Sequence, residues 1–180
     1  MKFLCCWLYA IDKYGFPPSI PDTFSALREM KELGFDYAEL EGVSGPNLIS
    51  VYEARHEIKK VLDEIDLRVI NFVPVIPELR ELDNEKRKYG REMFERGLEV
   101  AKTIGTEFIQ IDSFPPCLEC LDGVQYDSEN VTNYGARWRY RMAPEFSWER
   151  QWEVLVESVK WCVQKAKTVG LKLIVEPRVG

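Results

Sequence analysis

One short grammar recurs along the chain and limits its fold more than any other feature. Leu33-Gly34-Phe35-Asp36-Tyr37-Ala38-Glu39-Leu40, Ile104-Gly105-Thr106-Glu107-Phe108-Ile109-Gln110-Ile111 and Val169-Gly170-Leu171-Lys172-Leu173-Ile174-Val175-Glu176 share it. Each places an apolar residue and a glycine before an apolar run. The glycine reads as a helix C-terminal cap, where the left-handed backbone favours a residue without a side chain. The run after it is short and apolar, the pattern of a buried strand. Helix, cap and strand in series imply parallel strands joined by crossover helices.

The same alternation extends through the rest of the chain. Lys2 to Tyr9 reads as a first strand, and Pro17, Pro18 and Pro21 as a rigid loop after it. Pro21-Asp22 opens a helix carrying Phe24, Leu27, Met30 and Leu33 at helical spacing. Phe35 to Glu41 is the second strand, followed by a turn at Gly42-Val43-Ser44-Gly45-Pro46 and a helix from Leu48 to Ile65. Leu67 to Val73 is the third strand. A long helix, Glu78 to Ile104, carries a charged, solvated first half, and Thr106 to Ile111 is the fourth strand. The last helix begins near Ser147 with Trp152, Leu155, Val159, Cys162, Ala166 and Val169 on its apolar stripe, and Leu171 to Glu176 is the fifth strand. Residues 113–145 break the rhythm. This stretch holds Tyr126, Tyr134, Trp138 and Tyr140 with Arg137, Arg139 and Arg141, and reads as a long βα loop or lid insertion.

Composition removes several classes of function. The 180 residues carry a net charge of −6, which disfavours a general nucleic-acid binder because that role needs a basic face. No apolar run is long enough to span a membrane. The N-terminal ten residues resemble a weak signal peptide, but their basic region is the single Lys2 and no small-residue cleavage site follows before Asp12 and Lys13, so a leader is not expected. The cysteines number five, an odd count without a dense framework, which reads as reduced thiols in a cytoplasmic protein. Cys117-Leu118-Glu119-Cys120 is a CxxC without the second pair that a zinc site requires, and Cys5-Cys6 point to opposite faces of a strand. The single histidine, His56, falls in mid-helix and reads as exposed.

Five βα units fit either an open doubly wound sheet or part of a (β/α) barrel. The segment after the first strand, Tyr9 to Pro17, lacks the glycine-rich spacing of a nucleotide-binding open sheet. Polar and aromatic residues instead gather near the ends of several strands: Trp7 and Tyr9, Glu39 and Glu41, Asn71, Gln110 and Asp112, Glu176 and Arg178. Chemistry drawn from many strand ends is the barrel pattern. Two motifs, Leu33 to Leu40 and Gly170-Leu171-Lys172-Leu173-Ile174-Val175-Glu176-Pro177, resemble the xylose-isomerase-like (β/α) TIM barrel superfamily of sugar phosphate isomerases and epimerases.

The resemblance implies the first five parallel strands, with crossover helices, of an incomplete barrel. Residues 1–180 would then form a single partial domain, where a whole barrel has roughly 250 residues. It also implies that Glu176 is the first ligand of a divalent metal, Mn²⁺ or Mg²⁺, and one member of an acid/base pair. The chemistry is metal-assisted proton transfer at a carbon beside a carbonyl. The family's other ligands, an aspartate, a histidine and a glutamate, come from strands six to eight, which this sequence does not supply. The chain is therefore expected to be incomplete and inactive by itself, with no tight metal of its own.

The remaining strand-end residues each have two readings. Glu39, Glu41 and Asp112 either contact sugar hydroxyls or are solvated strand ends. Trp7 is a wall against a sugar face or part of the core. Asn71 bonds substrate or its own loop, and Arg178 binds a phosphate or faces solvent. A small-molecule sugar or sugar phosphate is the expected partner, with neither nucleic acid nor membrane. Exposed edge strands invite a homo-oligomer. The competing function is a non-catalytic binding or assembly module on a half-barrel. Inosose dehydratase-like chemistry also occurs on this scaffold. An apurinic-site endonuclease is disfavoured by the single histidine and the acidic charge.

Overall fold

A computed structural model describes residues 2–113, 117–122 and 139–177. Its strands are β1 (Leu4–Cys5), β2 (Tyr37–Val43), β3 (Arg68–Val75), β4 (Phe108–Asp112), β5 (Glu119–Cys120), β6 (Tyr140–Arg141) and β7 (Lys172–Glu176). Its helices are α1 (Leu8–Tyr14), α2 (Ile20–Glu32), α3 (Ser44–Glu53), α4 (Arg55–Ile65), α5 (Asn84–Ile104) and α6 (Trp148–Thr168), with a 3₁₀ turn at Pro77–Arg80. Strands β1-β2-β3-β4-β7 form one sheet in that order, and every pairing in it is parallel. Strand order that follows chain order has no reversal point, which separates a barrel segment from the doubly wound sheet.

The sheet has two chemically distinct faces because successive side chains alternate. Ala38, Leu40, Phe72, Ile109 and Ile111 pack outward in the core, against Leu27 and Met30 of α2, Ile58 and Leu62 of α4, Phe94 and Leu98 of α5, and Cys162 and Ala166 of α6. Burying a side chain of this size contributes about 1.5–3 kcal/mol. Helix α5 lies close on β3 at Gly97, where a Cβ would come within 3.1 Å of the Pro74 Cβ. The intervening residues, Glu39, Glu41, Asn71, Gln110, Asp112 and Glu176, therefore share the opposite, inner face. A small apolar cluster of Val43, Val73 and Val75 sits apart from the main core, with Phe16 against it.

Four boundaries differ from the sequence reading. The first strand is only Leu4–Cys5, paired with Tyr37 and Ala38. The next residues turn away into α1, and the Trp7 amide N–H points to the Glu39 Oε1 at 3.4 Å. The expected turn at 42–46 is instead the start of a helix. The Asn47 Oδ1 accepts the Val43 N–H at 2.8 Å, and the helix breaks at Ala54 into α3 and α4. The long third helix opens at Asn84, after the 3₁₀ turn, because the Asp83 carboxylate accepts the amides of Glu85 and Lys86 at 2.8 and 2.9 Å. On α6, Trp152 is 66% exposed, and the buried stripe starts with Gln151, Val154 and Ser158. The Gln151 Nε2 and Ser158 Oγ donate to the carbonyls of Arg80 and Leu79, at 2.9 and 2.6 Å. Satisfying the carbonyls of the 3₁₀ turn places polar residues where periodicity alone expects apolar ones.

Within 113–145, β5 and β6 pair antiparallel, and Tyr126, Tyr134, Arg137 and Trp138 lie outside the described residues. Among the described residues no helix is long and apolar enough to cross a membrane.

Candidate active site

The inner face carries a chain of side-chain hydrogen bonds that crosses four adjacent strands. On β3, the Asn71 Nδ2 donates to the Glu39 Oε2 on β2 at 2.8 Å and to the Gln110 Oε1 on β4 at 2.9 Å. The Gln110 Nε2 donates in turn to the Glu176 Oε2 on β7 at 2.6 Å. The register explains this alignment. Glu39 pairs with Asn71, but Asn71 pairs with Phe108 and Gln110 with Ile174. Each of the last two steps climbs two residues, so the layer runs across the sheet while the strands tilt, as in a barrel. Asn71 is 6% exposed and Gln110 9%, whereas Glu39 is half-buried and Glu176 exposed. Two buried carboxamides thus join two accessible carboxylates.

The other sequence candidates fall around this layer. Glu41 lies two residues above Glu39 on the same face and is half-buried. Asp112 pairs with Glu176 at the carboxyl end of β4 and is 3% exposed. Trp7 is 1% exposed and its indole belongs to the core, so its backbone amide is the part that reaches Glu39. Arg178 lies outside the described residues. Gln110 carries the link between Asn71 and Glu176, a role that sequence reasoning did not assign to it. The available signal was its place two residues before Asp112 in Phe108-Ile109-Gln110-Ile111-Asp112, where alternation puts both on one face.

Cys6 completes this end of the sheet. Its Sγ lies 3.5 Å from the Glu39 Oε1. Partial burial, with Glu39 and Glu41 adding their negative charge, pushes this thiol up to about 11, so it stays protonated and can donate. Cys117 turns the other way, its Sγ toward the Arg80 carbonyl oxygen at 3.4 Å.

Among the described residues no three His, Cys, Asp or Glu gather into a group that could hold a metal ion. Mg²⁺ demands a near-octahedral oxygen shell. One exposed carboxylate beside a carboxamide does not supply it, so the described residues do not fit a divalent-metal centre by themselves.

Sequential parallel strands in chain order, crossover helices and a polar layer across the inner face define a protein of the (β/α)-barrel class. The chain belongs to the xylose isomerase-like TIM barrel family, whose family model matches residues 27–178. No curated protein sequence matches it. Among solved structures it resembles a 3-keto-D-glucoside 4-epimerase from E. coli, with 19% identity and a TM-score of 0.60 over 86% of this chain and 50% of that one. It resembles a D-psicose 3-epimerase, studied in the presence of D-fructose, with 15% identity and a TM-score of 0.64 over 97% and 52%. A xylose isomerase-like TIM barrel protein from Mycobacterium smegmatis, in complex with magnesium, gives 16% identity and a TM-score of 0.58 over 88% and 47%. At these identities the likeness is one of fold. The chain spans about half the length of these structures.

Proposed function

We propose that the inner face is one wall of a sugar isomerase or epimerase site. The reaction class is proton transfer at a carbon beside a carbonyl. One observation carries this reading: the layer Glu39–Asn71–Gln110–Glu176 crosses the inner face of consecutive parallel strands and reaches the carboxyl end of β7 at Glu176, the end at which barrel enzymes keep their chemistry. Glu176 is the acid/base carboxylate, and it would be one oxygen ligand to a divalent ion only in a site that further ligands complete. Glu39, Glu41, Asn71 and Asp112 face the sugar hydroxyls. The epimerase structures of like fold support the substrate class, and the magnesium complex supports the metal. The cytoplasm suits the free thiols of Cys5, Cys6, Cys117 and Cys162.

Two titrations of the chain test the reading. D-Fructose is expected to bind saturably, and Glu176→Gln to weaken it by about tenfold, the loss of one charged hydrogen bond. Mn²⁺ alone is expected to show no micromolar binding by calorimetry. Absence of any ketose binding would sink the sugar reading, and micromolar Mn²⁺ would show that the ligand set is complete without further strands. A second reading, an assembly module on a half-barrel, is favoured by the outer edge of β7, where Ile174 and Val175 are 36% and 41% exposed.

A further inference from the structure

We infer that the edge of β7 and the flank of α6 beside it form a docking surface for a second copy of this chain. The two β7 strands pair antiparallel about a two-fold axis through Ile174, which brings Lys172 of the second copy to Glu176. The inference rests on the assembly reading above and deepens it by naming the partner, the orientation and the register. It does not depend on the sugar reading.

The backbone of β7 is divided between its two sides. The Lys172 N–H donates to the Glu107 carbonyl at 3.4 Å, and the Glu176 carbonyl accepts the Ser113 N–H at 2.9 Å. Alternate residues of a strand turn their backbone groups to the same side, so Lys172, Ile174 and Glu176 serve β4. Leu173 and Val175 turn theirs to the open side, where no strand lies among the described residues. This edge is self-complementary. With Ile174 on the axis, Leu173 stands opposite Val175 of the second copy, and each such pair exchanges two backbone hydrogen bonds. Lys172 stands opposite Glu176 of the second copy on the inner face, a closely spaced pair of opposite charge. Neighbouring registers are poorer. One sets Leu173 against Pro177, which has no N–H. The other sets Val175 against Leu171, whose N–H is already held by the Ala166 carbonyl at 3.0 Å. A parallel pairing in register would set Lys172 against Lys172 and Glu176 against Glu176.

Helix α6 carries the same symmetry. It meets α5 through Trp161, whose ring lies edge-on to Phe94 at 5.9 Å, and through Glu157 and Lys165, which pair with Arg91 and Glu95. Cys162 and Ala166 face the core. At about 100° per residue the flank opposite α5 presents Trp148, Trp152, Val156, Val159 and Val163. Trp148 and Trp152 are 55% and 66% exposed, and buried aromatic side chains of this size dominate the energetics of interfaces. One border of this apolar stripe carries Glu149 and Glu153 in the first half of the helix and Lys160 and Lys167 in the second. The two-fold axis that pairs the strands sets the two α6 helices antiparallel, so the acidic half of each runs beside the basic half of the other. Strand and helix thus ask for the same partner in the same orientation.

Sedimentation equilibrium of the whole chain is expected to show a closed dimer and no larger series, as an isologous contact requires. Lys172→Glu and Glu176→Lys are each expected to weaken the dimer by about tenfold, because like charges then stand opposite, and the double variant to restore the parental affinity. Ile174→Cys, treated with oxidised glutathione, is expected to give a disulfide between the two substituted positions, found by peptide mapping, because position 174 faces its own copy across the axis. A monomer at every concentration would overturn this inference and the assembly reading together. An open-ended series, a dimer indifferent to the charge reversals, a double variant no tighter than the single ones, or no bond at position 174 would overturn the inference and leave assembly through another surface. Should Glu176→Lys not fold, Lys172→Glu and Ile174→Cys decide the matter by themselves: an unweakened dimer or a missing bond overturns the inference.

Discussion

Glu29, on α2, accepts from three side chains of α1: the Tyr9 and Tyr14 hydroxyls at 2.9 and 2.7 Å, and the Lys13 ammonium at 2.7 Å. Lys13, then Tyr14 and Tyr9, hold its carboxyl below the usual glutamate range. A carboxyl lowered in the folded state stabilises the fold above its unfolded value, about 4.3, and that contribution disappears as pH falls through the folded value. Glu29→Gln is therefore expected to be less stable than the parent near neutrality and to converge with it in acid. Urea midpoints measured from pH 7 to pH 3 check this, and parallel curves would refute it. At this scale the sequence marked Glu39, Asn71 and Glu176 as polar residues in apolar strands, although Glu39 and Asn71 lie in mid-strand and only Glu176 at a strand end. It grouped Gln110 with the polar strand residues but gave it no role, because alternation assigns a face and not a partner. Its meaning comes from the neighbours that barrel tilt brings to it.

At the scale of elements, the grammar of helix, cap and strand has a fourth member that the sequence disguises. Gly34, Gly105 and Gly170 adopt φ of 92°, 81° and 78°, and between α4 and β3 the same place is held by Asp66 with φ of 51°. Ile65-Asp66-Leu67 is the repeat with its glycine replaced, which is why only three copies are legible as sequence. Aspartate tolerates the left-handed region, and a β-branched residue does not. Asp66→Val is expected to destabilise the protein by about 1–2 kcal/mol, and Asp66→Gly to be tolerated. Chemical denaturation of the two variants checks the pair, and equal losses would show that the Asp66 side chain matters rather than its backbone. Element ends were harder to read than element cores. The first strand yields to α1, and the start of α5 waits for the Asp83 cap, because both boundaries depend on which partner receives a particular backbone amide.

For the whole molecule, the order β1-β2-β3-β4-β7 leaves β1 and β7 as the edges of the sheet among the described residues. Strand β7 is mostly exposed, although its Leu173-Ile174-Val175 run is that of a buried strand. Unpaired backbone beside apolar side chains is a template for pairing with another chain. The chain is expected to self-associate as its concentration rises, and Val175→Lys to shift the equilibrium toward monomer. Sedimentation equilibrium of the two proteins decides this. A concentration-independent monomer mass for the parent would exclude pairing through β7.

The sequence by itself determined the class of the fold: parallel strands, crossover helices and the junctions between them. These follow from the periodicity of apolar residues and from backbone angles that glycine favours, both local properties of the chain. It also marked most of the residues on the polar face, because alternation along a strand assigns them to one side. Only the tertiary structure decided which of them touch. The chain of contacts from Glu39 through Asn71 and Gln110 to Glu176 depends on strand register and tilt, which are set by how helices pack on the opposite face. Local sequence does not encode that packing, so the layer became visible only once the strands lay side by side.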